Sequence, residues 1–299
     1  MNENDRTDDS HGVPPPGFRL PYETHVGTVH LQVSDLEKSI AYYQQVLGLR
    51  VRRSSAATAT LGADDEERPI LALHTTPGVK RARRGALGLY HFAILLPERA
   101  ALGRFAMHLS ALGARVGSAD HLVSEAFYLS DPDGLGIEVY ADRPRSAWRR
   151  RGRELVMATD PLDVGDLVAA SEGQPWTGMP RGTRVGHVHL HVGDLEEAER
   201  FYHLALGLDK MVWSYPGALF LAAGGYHHHL GTNVWSAETP AREEEARLIE
   251  WELLVPGREA AAAARNSLGA AGYATEQSET GVTAADPWGT RVRIALDRD

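Results

Sequence analysis

Histidines are concentrated in a short segment of the second half of the chain. The stretch VGHVHLHVGDLEEAERFYHLALGL, residues 185–208, alternates His187, His189 and His191 with valine and leucine. Successive side chains of a β-strand point to opposite faces, so this alternation predicts a strand with all three imidazoles on one face. Imidazoles can bind metals, transfer protons near neutral pH or serve as polar packing groups. The spacing by itself leaves these alternatives open.

This segment has a counterpart earlier in the chain. VGTVHLQVSDLEKSIAYYQQVLGLR, residues 26–50, matches residues 185–209 at a constant offset of 159 residues. The same offset places His91 on Glu250, and the hairpin signals DPDGLGIEVY and DPWGTRVRIA repeat at an offset of 155. The chain therefore consists of two homologous halves of roughly 140 residues each, which is an ordinary domain size.

Each half divides again into two smaller units. A strand-like run is followed by a helical pattern, as behind Asp35, and then by short strands separated by Gly, Pro and Asp turns. This order occurs four times, starting near Thr24, Leu87, Arg184 and Arg247. A lone unit leaves one sheet face uncovered, so the units are expected to pair.

Composition narrows the class of protein. The 299 residues are 43% hydrophobic and 24% charged, with a net charge of −9 and no cysteine. Disulfides and thiolate metal sites are therefore excluded, and no apolar run is long enough for a membrane span. The first twenty residues lack the apolar core of a signal peptide, so we expect a cytoplasmic protein. The acidic balance argues against nucleic acid as a partner, and the basic runs at 80–84 and 143–153 are interpreted as solvated faces or linker.

These patterns predict an α+β fold made of four βαβββ units. We expect a flexible or draped tail at residues 1–23, an N-terminal domain of two units at 24–145, a linker at 146–183 and a C-terminal domain of two units at 184–299.

The four units, together with HVHLHVGDLEEAERFYHLALGL, GLYHFAILLP and SDPDGLGIEVYADRP, resemble the vicinal oxygen chelate superfamily. The chain is similar in particular to the two-domain extradiol, or catechol 2,3-dioxygenase-like, branch, from about residue 24 to residue 297. The resemblance implies that paired units curl into two open, cup-like mixed sheets that can hold a divalent metal. Its ligands would come from the first strand of two units and the last strand of one.

The repeat register locates these ligand positions. The first-strand position is occupied, in units one to four, by Thr28, His91, His187 and Glu250, and the last-strand position by Glu138 in unit two and Arg293 in unit four. Only the pairing of units two and three brings together two imidazoles and one carboxylate, from His91, Glu138 and His187. Non-haem Fe(II) oxygenases use such a triad because it leaves coordination positions open. The resemblance therefore implies one Fe(II) site across the two halves, with Mn(II) as a substitute, and no metal where units one and four pair.

The resemblance also implies roles for other polar residues. His228, in GGYHHHLGTNVW, best matches an acid–base histidine of similar enzymes. Tyr128, ten residues before Glu138, matches a tyrosine that hydrogen-bonds at the metal, although strand packing explains it equally well. His121 lies near the position of a further histidine, with a spacing that differs by two. His189 and His191 are expected to support the cup as pocket walls or hydrogen-bond donors.

The expected activity is extradiol cleavage of a small aromatic diol, with O2 as co-substrate. A glyoxalase-like isomerase is the first alternative, since such enzymes commonly use four protein ligands and His228 or His229 lies near the fourth position. A binding protein of the bleomycin-resistance type, without the metal, is the second. Exposed sheet edges make homo-oligomers common in such folds, so self-association is left open. The substituents of the substrate ring are not defined by the sequence.

Overall fold

Every unit of the repeat folds in the predicted order of strand, helix and three strands. The computed structural model of the chain describes residues 11–64, 68–236 and 238–297. The prediction of an α+β fold built from four βαβββ units is confirmed. None of the described helices is both long and apolar enough to cross a bilayer.

The elements follow the chain in four groups. Unit one contains β1 (His25–Gln32), α1 (Leu36–Gln45), β2 (Arg50–Ser54), β3 (Thr58–Gly62) and β4 (Leu71–His74). Unit two contains β5 (Gly88–Leu95), α2 (Arg99–Ala111), β6 (Gly117–Asp120), β7 (Ser124–Ser130) and β8 (Gly136–Asp142). The connection to the second half contains a 3-10 turn (Arg145–Ala147), β9 (Arg150–Arg151), β10 (Glu154–Leu155) and α3 (Val164–Ala169).

The second half continues in the same way. Unit three contains β11 (Arg184–His191), α4 (Leu195–Ala198) continued by a π-helical segment (Glu199–Ala205), β12 (Asp209–Val212), β13 (Ala218–Ala222) and β14 (Leu230–Asn233). Unit four contains β15 (Arg247–Val255), α5 (Arg258–Ala270), β16 (Thr275–Gln277), β17 (Gly281–Ala285) and β18 (Arg291–Leu296).

The first helix of each half begins at an aspartate of the repeat. The side chains of Asp35 and Asp194 accept hydrogen bonds from backbone N–H groups three residues later, which satisfies donors that a helix start leaves free. Each helix also carries a buried tyrosine whose hydroxyl donates to the hairpin aspartate of the following unit. For Tyr43 this acceptor is Asp131, at 3.0 Å, and Tyr202 makes the equivalent contact at 2.9 Å. These bonds connect the two units of a half.

The sheets, in contrast, are formed by units from different halves. One sheet, here called the site sheet, has the order β12-β13-β14-β11-β5-β8-β7-β6 and joins unit three to unit two. The second sheet has the order β16-β17-β18-β15-β1-β4-β3-β2 and joins unit four to unit one. The first strands pair antiparallel in both cases, β11 with β5 and β15 with β1. The structure therefore pairs unit two with unit three, as the ligand positions require.

Alternation along the central strands separates a core face from a concave face. Phe92 and Ile94 of β5, and Val188 and Leu190 of β11, lie in a large apolar core that also includes residues of the second sheet. Because side chains alternate along a strand, His91 of β5 points to the opposite, concave face. The sequence pattern therefore places histidines on the concave face of the site sheet.

The described part of the predicted tail lies against the site sheet. The guanidinium of Arg19 donates to both carboxylate oxygens of Asp209, at 2.9 and 2.8 Å, and residue 13 forms a β-bridge with residue 210. These contacts attach residues 13 and 19 to β12. Residues 1–10 of the predicted tail lie outside the described residues.

The predicted linker also packs on the site sheet. Trp148 and Leu155 belong to a small apolar cluster with Phe220 and Tyr226 of unit three. Residues 148–159 of this segment therefore contribute to the wall around the concave face.

Candidate metal centre and its cavity

Three buried side chains from neighbouring strands meet on the concave face of the site sheet. His91 lies on β5, Glu138 on β8 and His187 on β11, and their exposed fractions are 5%, 2% and 1%. The Glu138 Oε2 atom is 3.0 Å from the Nε2 atom of His91 and 3.3 Å from the Nε2 atom of His187. One donor atom from each residue lies within 4.8 Å of the others. Sequence reasoning selected the same three residues.

The polar atoms of this cluster are suited to a metal ion. The Nε2 atom of His91, the Oε1 atom of Glu138 and the Nδ1 atom of His187 are buried and make no hydrogen bond of acceptable geometry to the described residues, although the first lies 3.0 Å from the Oε2 atom of Glu138. Each such atom costs about 1–3 kcal/mol when it stays unsatisfied. A cation between His91 and Glu138 would satisfy the first two atoms, whereas the Nδ1 atom of His187 lies across the ring from the Nε2 atom that faces Glu138. The donor set, two imidazoles and one carboxylate, is the set that Fe(II) oxygenases use.

The protonation states agree with that use. Burial lowers the pKa of His187 to about 4, so its imidazole is neutral near pH 7. Burial tends to raise the pKa of Glu138, but the adjacent His187 and His91 outweigh this effect and hold it well below its usual range. Metal ligands must be deprotonated, and His187 and Glu138 already are at neutral pH.

A cavity of about 270 Å³ opens on one side of the cluster. Its polar wall is formed by His91, Glu138, His121, Tyr128 and His228. The volume is close to the lower end of small-molecule sites, which is about 300 Å³. The cavity therefore offers space beside the three donors for a small ligand.

Comparison with known proteins identifies the family. A sequence model of the Glyoxalase/Bleomycin resistance protein/Dioxygenase superfamily matches residues 25–139. A protein of Bacillus subtilis (strain 168) named catechol-2,3-dioxygenase is 42% identical over 271 residues, which cover 89% of this chain and 94% of that protein. The chain belongs to this superfamily. The predicted relationship to catechol 2,3-dioxygenase-like enzymes is also confirmed.

Solved structures of other proteins share the fold. A Bacillus subtilis protein described as a candidate dioxygenase superimposes with a TM-score of 0.67 at 10% identity, covering 94% of this chain and 87% of its own. Glyoxalase I from Zea mays superimposes with a TM-score of 0.55 at 18% identity, covering 92% of each chain. At such identities the similarity concerns the fold alone.

In this superfamily member, His228 lies where the sequence placed it, on the loop between β13 and β14. Its ring centroid is 4.0 Å from that of His187, and it contributes to the cavity wall. Burial and then the neighbouring imidazoles lower the pKa of His228 well below the usual value. The cluster of donor atoms among the described residues includes neither His228 nor His229. Instead, the Nδ1 atom of His229 accepts a hydrogen bond from the backbone N–H of Ala223 at 3.1 Å.

Tyr128 and His121 form a hydrogen-bonded pair in the cavity wall. The ring of Tyr128, on β7, lies 5.7 Å from that of His91, centroid to centroid. The Nδ1 atom of His121 is 2.6 Å from the carbonyl oxygen of Ala158, which can only accept, so Nδ1 carries the proton. The Nε2 atom of a neutral His121 then accepts from the Tyr128 hydroxyl. Burial raises the pKa of Tyr128 well above its usual value, so this hydroxyl stays protonated.

The other histidines of β11 are held by one asparagine. The amide nitrogen of Asn233 is 3.0 Å from the Nε2 atom of His189, and its amide oxygen is 2.7 Å from the Nδ1 atom of His191. His189 lines the cavity, and His191 lines the chamber next to it. Both positions match the expectation of pocket walls.

Most apolar walls of the cavity were not predicted. Tyr90, Phe220 and Trp235 contribute aromatic rings, and Met157 comes from the segment predicted as a linker. Their signal was weak because an isolated aromatic residue in a strand or loop looks like ordinary packing. Only the curl of the sheet brings these residues together.

A second, outer chamber of about 750 Å³ adjoins the cavity and shares Tyr90 and Trp235 with it. Its lining includes the basic run at 80–84, which the sequence suggested was a solvated face, and Arg247. Arg83 is paired with two glutamates, whereas the buried Nε atom of Arg247 has no hydrogen-bond partner among the described residues. The outer chamber therefore carries positive charge.

The second sheet has a different arrangement at the equivalent positions. Arg293, the repeat counterpart of Glu138, places its guanidinium 2.7 Å from Glu250 and 3.3 Å from Glu252. Thr28 instead donates its hydroxyl proton to the carbonyl oxygen of Pro69 at 2.8 Å. An internal ion-pair network therefore lies where the site sheet has its donor cluster.

Proposed function

We propose that the chain is an extradiol ring-cleaving dioxygenase that acts on a catechol-type aromatic diol. The proposal assigns Fe(II), or Mn(II) as a substitute, to His91, Glu138 and His187. The observation that carries it is the buried group of two imidazoles and one carboxylate with unsatisfied donor atoms beside a small cavity. The relative named catechol-2,3-dioxygenase, at 42% identity, supports the same activity.

The metal, when bound, would supply a redox-active centre that can hold both the diol and O2. Both oxygen atoms end in the ring-opened product, so the overall reaction requires no external reductant. The residues of the chain would position the substrate and move its protons. His228 lies beside the donor cluster and is neutral at pH 7, so its free ring nitrogen can take a proton from a diol hydroxyl.

The remaining cavity residues would bind and enclose the ring. Tyr90, Phe220 and Trp235 offer aromatic surfaces on which a catechol ring can pack, and they limit access of water. The hydroxyl of Tyr128, oriented by His121, supplies a polar contact within the same wall.

The test is ring cleavage by protein loaded with Fe(II) under anaerobic conditions. After addition of catechol and air, we expect O2 consumption and a yellow semialdehyde in equal amounts. His91→Ala and Glu138→Ala should lose both iron and activity, whereas Glu250→Ala, in the second sheet, should keep both. Retention of iron by the first two variants, or its loss in the third, would contradict the assignment.

Two further assays address the alternative activities. Turnover of a hemithioacetal by the nickel or zinc form, without ring cleavage by the iron form, would indicate an isomerase. Tight binding of a cationic drug by the metal-free chain, with no turnover of any catechol, would indicate a sequestering protein.

A further inference from the structure

A chain of hydrogen bonds leads from His228 to the end of the strand that carries Glu138. The Nδ1 atom of His228 is 2.6 Å from the Nδ1 atom of the adjacent His227. The Nε2 atom of His227 is in turn 2.9 Å from the carboxylate of Asp142, the last residue of β8. His227 is fully buried, and the Asp142 side chain keeps 27% of its surface exposed. The chain thus runs from the cavity wall to the protein surface.

The donors and acceptors of this chain determine where the ring protons lie. A carboxylate only accepts hydrogen bonds, so the Nε2 atom of His227 carries a proton. A neutral His227 then has a bare Nδ1 atom, and the short contact between the two rings requires that the Nδ1 atom of His228 donates. A neutral His228 with its proton on Nδ1 has a bare Nε2 atom. This is the form in which His228 can accept a proton.

The remaining nitrogen of His228 is available to a ligand. Its Nε2 atom makes no hydrogen bond to any described residue. This atom is nevertheless not fully buried. Since His228 lines the cavity beside Glu138, its Nε2 atom retains contact with the open space there.

The other end of the chain is held in place by its surroundings. The hydroxyl of Tyr226 donates to Asp142 at 3.1 Å and lies 2.7 Å from the hydroxyl of Tyr140. The ring of His227 packs 5.4 Å from that of Trp148 and 4.1 Å from that of Tyr226, centroid to centroid. The orientation of His227 is therefore fixed by packing as well as by the carboxylate.

We propose that Asp142 and His227 are positioning residues that hold His228 in the tautomer with a bare Nε2 atom directed into the cavity. The inference rests on the proposed function for its catalytic consequence, since His228 acts there as the base. The tautomer itself can be measured without any reaction. Neither His227 nor Asp142 is among the residues predicted from the sequence to take part in the site.

The direct test is a long-range ¹H–¹⁵N correlation spectrum of the metal-free protein, labelled at histidine, which distinguishes the two neutral tautomers. We expect the wild-type His228 ring to carry its proton on Nδ1, and Asp142→Leu to shift it to Nε2 or to a mixture. Asp142→Asn keeps a carbonyl acceptor and should retain the wild-type pattern in large part. Finding the proton on Nε2 of His228 in the wild-type protein would overturn the proposal.

The kinetic test uses a variant at the equivalent position of the second sheet as its control. Asp297 is the counterpart of Asp142 in the second sheet, with a side chain 26% exposed and an ion pair to Arg68 at 2.9 Å. General acid–base catalysis contributes about 10²–10⁴-fold, so loss of the correct tautomer in Asp142→Leu should lower kcat by roughly 10-fold or more. The KM for catechol and the iron content should stay near wild-type values, and Asp297→Leu should leave kcat unchanged.

His227 provides an independent pair of variants. His227→Gln can still accept from His228 through its amide oxygen, whereas His227→Leu cannot, so kcat should fall much further in the second variant. Equal kcat in wild type and Asp142→Leu, with His228→Ala inactive, would refute the positioning role alone. A wild-type protein that cleaves no catechol would refute the proposed function, while the tautomer measurement would still decide the inference.

Discussion

Glu138→Gln should lower both the stability of the metal-free protein and its response to metal. The carboxylate is buried and ionised, and its Oε1 atom has no hydrogen-bond partner among the described residues. The adjacent His187 and His91 nevertheless favour the ionised form, because they outweigh burial and hold the pKa of Glu138 well below its usual range. A neutral glutamine of the same shape loses this favourable interaction. We therefore expect metal-free Glu138→Gln to be less stable than the metal-free wild type.

The response to metal follows from linkage between binding and folding. A ligand present at 1,000 times its Kd stabilises the folded state by about 4 kcal/mol. A change of 1 kcal/mol shifts the melting temperature of a large domain by about 2–4 °C, so saturation of the wild type should raise Tm by roughly 8 °C or more. Glu138→Gln lacks the only carboxylate of the donor cluster, so it binds the metal more weakly and its shift in Tm should be smaller.

The assay is thermal unfolding with increasing Mn(II), which avoids the oxidation of Fe(II) in air. Glu250→Gln is the matched control, because it removes a half-buried carboxylate, 12% exposed, that accepts from Arg293 at 2.7 Å in the second sheet. This control should be somewhat less stable than the wild type both with and without metal. Its rise in Tm on addition of Mn(II) should equal that of the wild type. If Glu138→Gln kept the wild-type shift, the carboxylate would not be a metal ligand and the reasoning would fail.

Three further outcomes are expected. Burial lowers the pKa of His229 well below its usual value, so the unfolded chain binds a proton below about pH 6.5 that the folded chain does not, and stability falls as the pH falls. The free energy of unfolding of the metal-free protein in urea should fall between pH 7 and pH 5, and His229→Gln should make this fall smaller by about 2 kcal/mol. An unchanged fall would contradict the effect of burial on His229. Gly186→Ala would place a methyl group on the Tyr140 hydroxyl, so it should lower the free energy of unfolding by about 1–3 kcal/mol or more, which denaturant titration would measure. Arg247→Met should raise KM for a carboxylate-bearing catechol more than for catechol itself, because Arg247 lines the positively charged outer chamber; equal effects on both substrates would contradict this charge argument.

The repeat explains why the donor cluster could be predicted from the sequence. The register that aligned Thr28 with His187 fixed which residue of each unit occupies the same place on its strand. The family resemblance placed the ligands on first and last strands, and only one pairing of units then gave two imidazoles and a carboxylate. That pairing predicted the topology, and β11 indeed pairs with β5. The start of α1 behind Asp35 followed from local hydrogen bonding alone.

What could not be predicted depends on contacts between distant segments. Met157 reaches the cavity because the connection between the halves folds over the concave face, and no periodic pattern marks that path. Asp142 gains its role only because the loop before β14 brings His227 within 2.9 Å of it. Short-range sequence patterns predict strands and helices, whereas contacts between distant residues depend on the curl of the whole sheet.

The guanidinium of Arg293 makes the second sheet independent of the supply of metal ions. This cation is covalently part of the chain, so Glu250 and Glu252 keep a guanidinium partner in any medium. Among the described residues Glu138 pairs only with imidazoles, and on the proposed function iron would supply the compensating charge. Withdrawal of iron by a chelator should accordingly speed amide hydrogen exchange in β8 and β11, while β15 and β18 keep their protection.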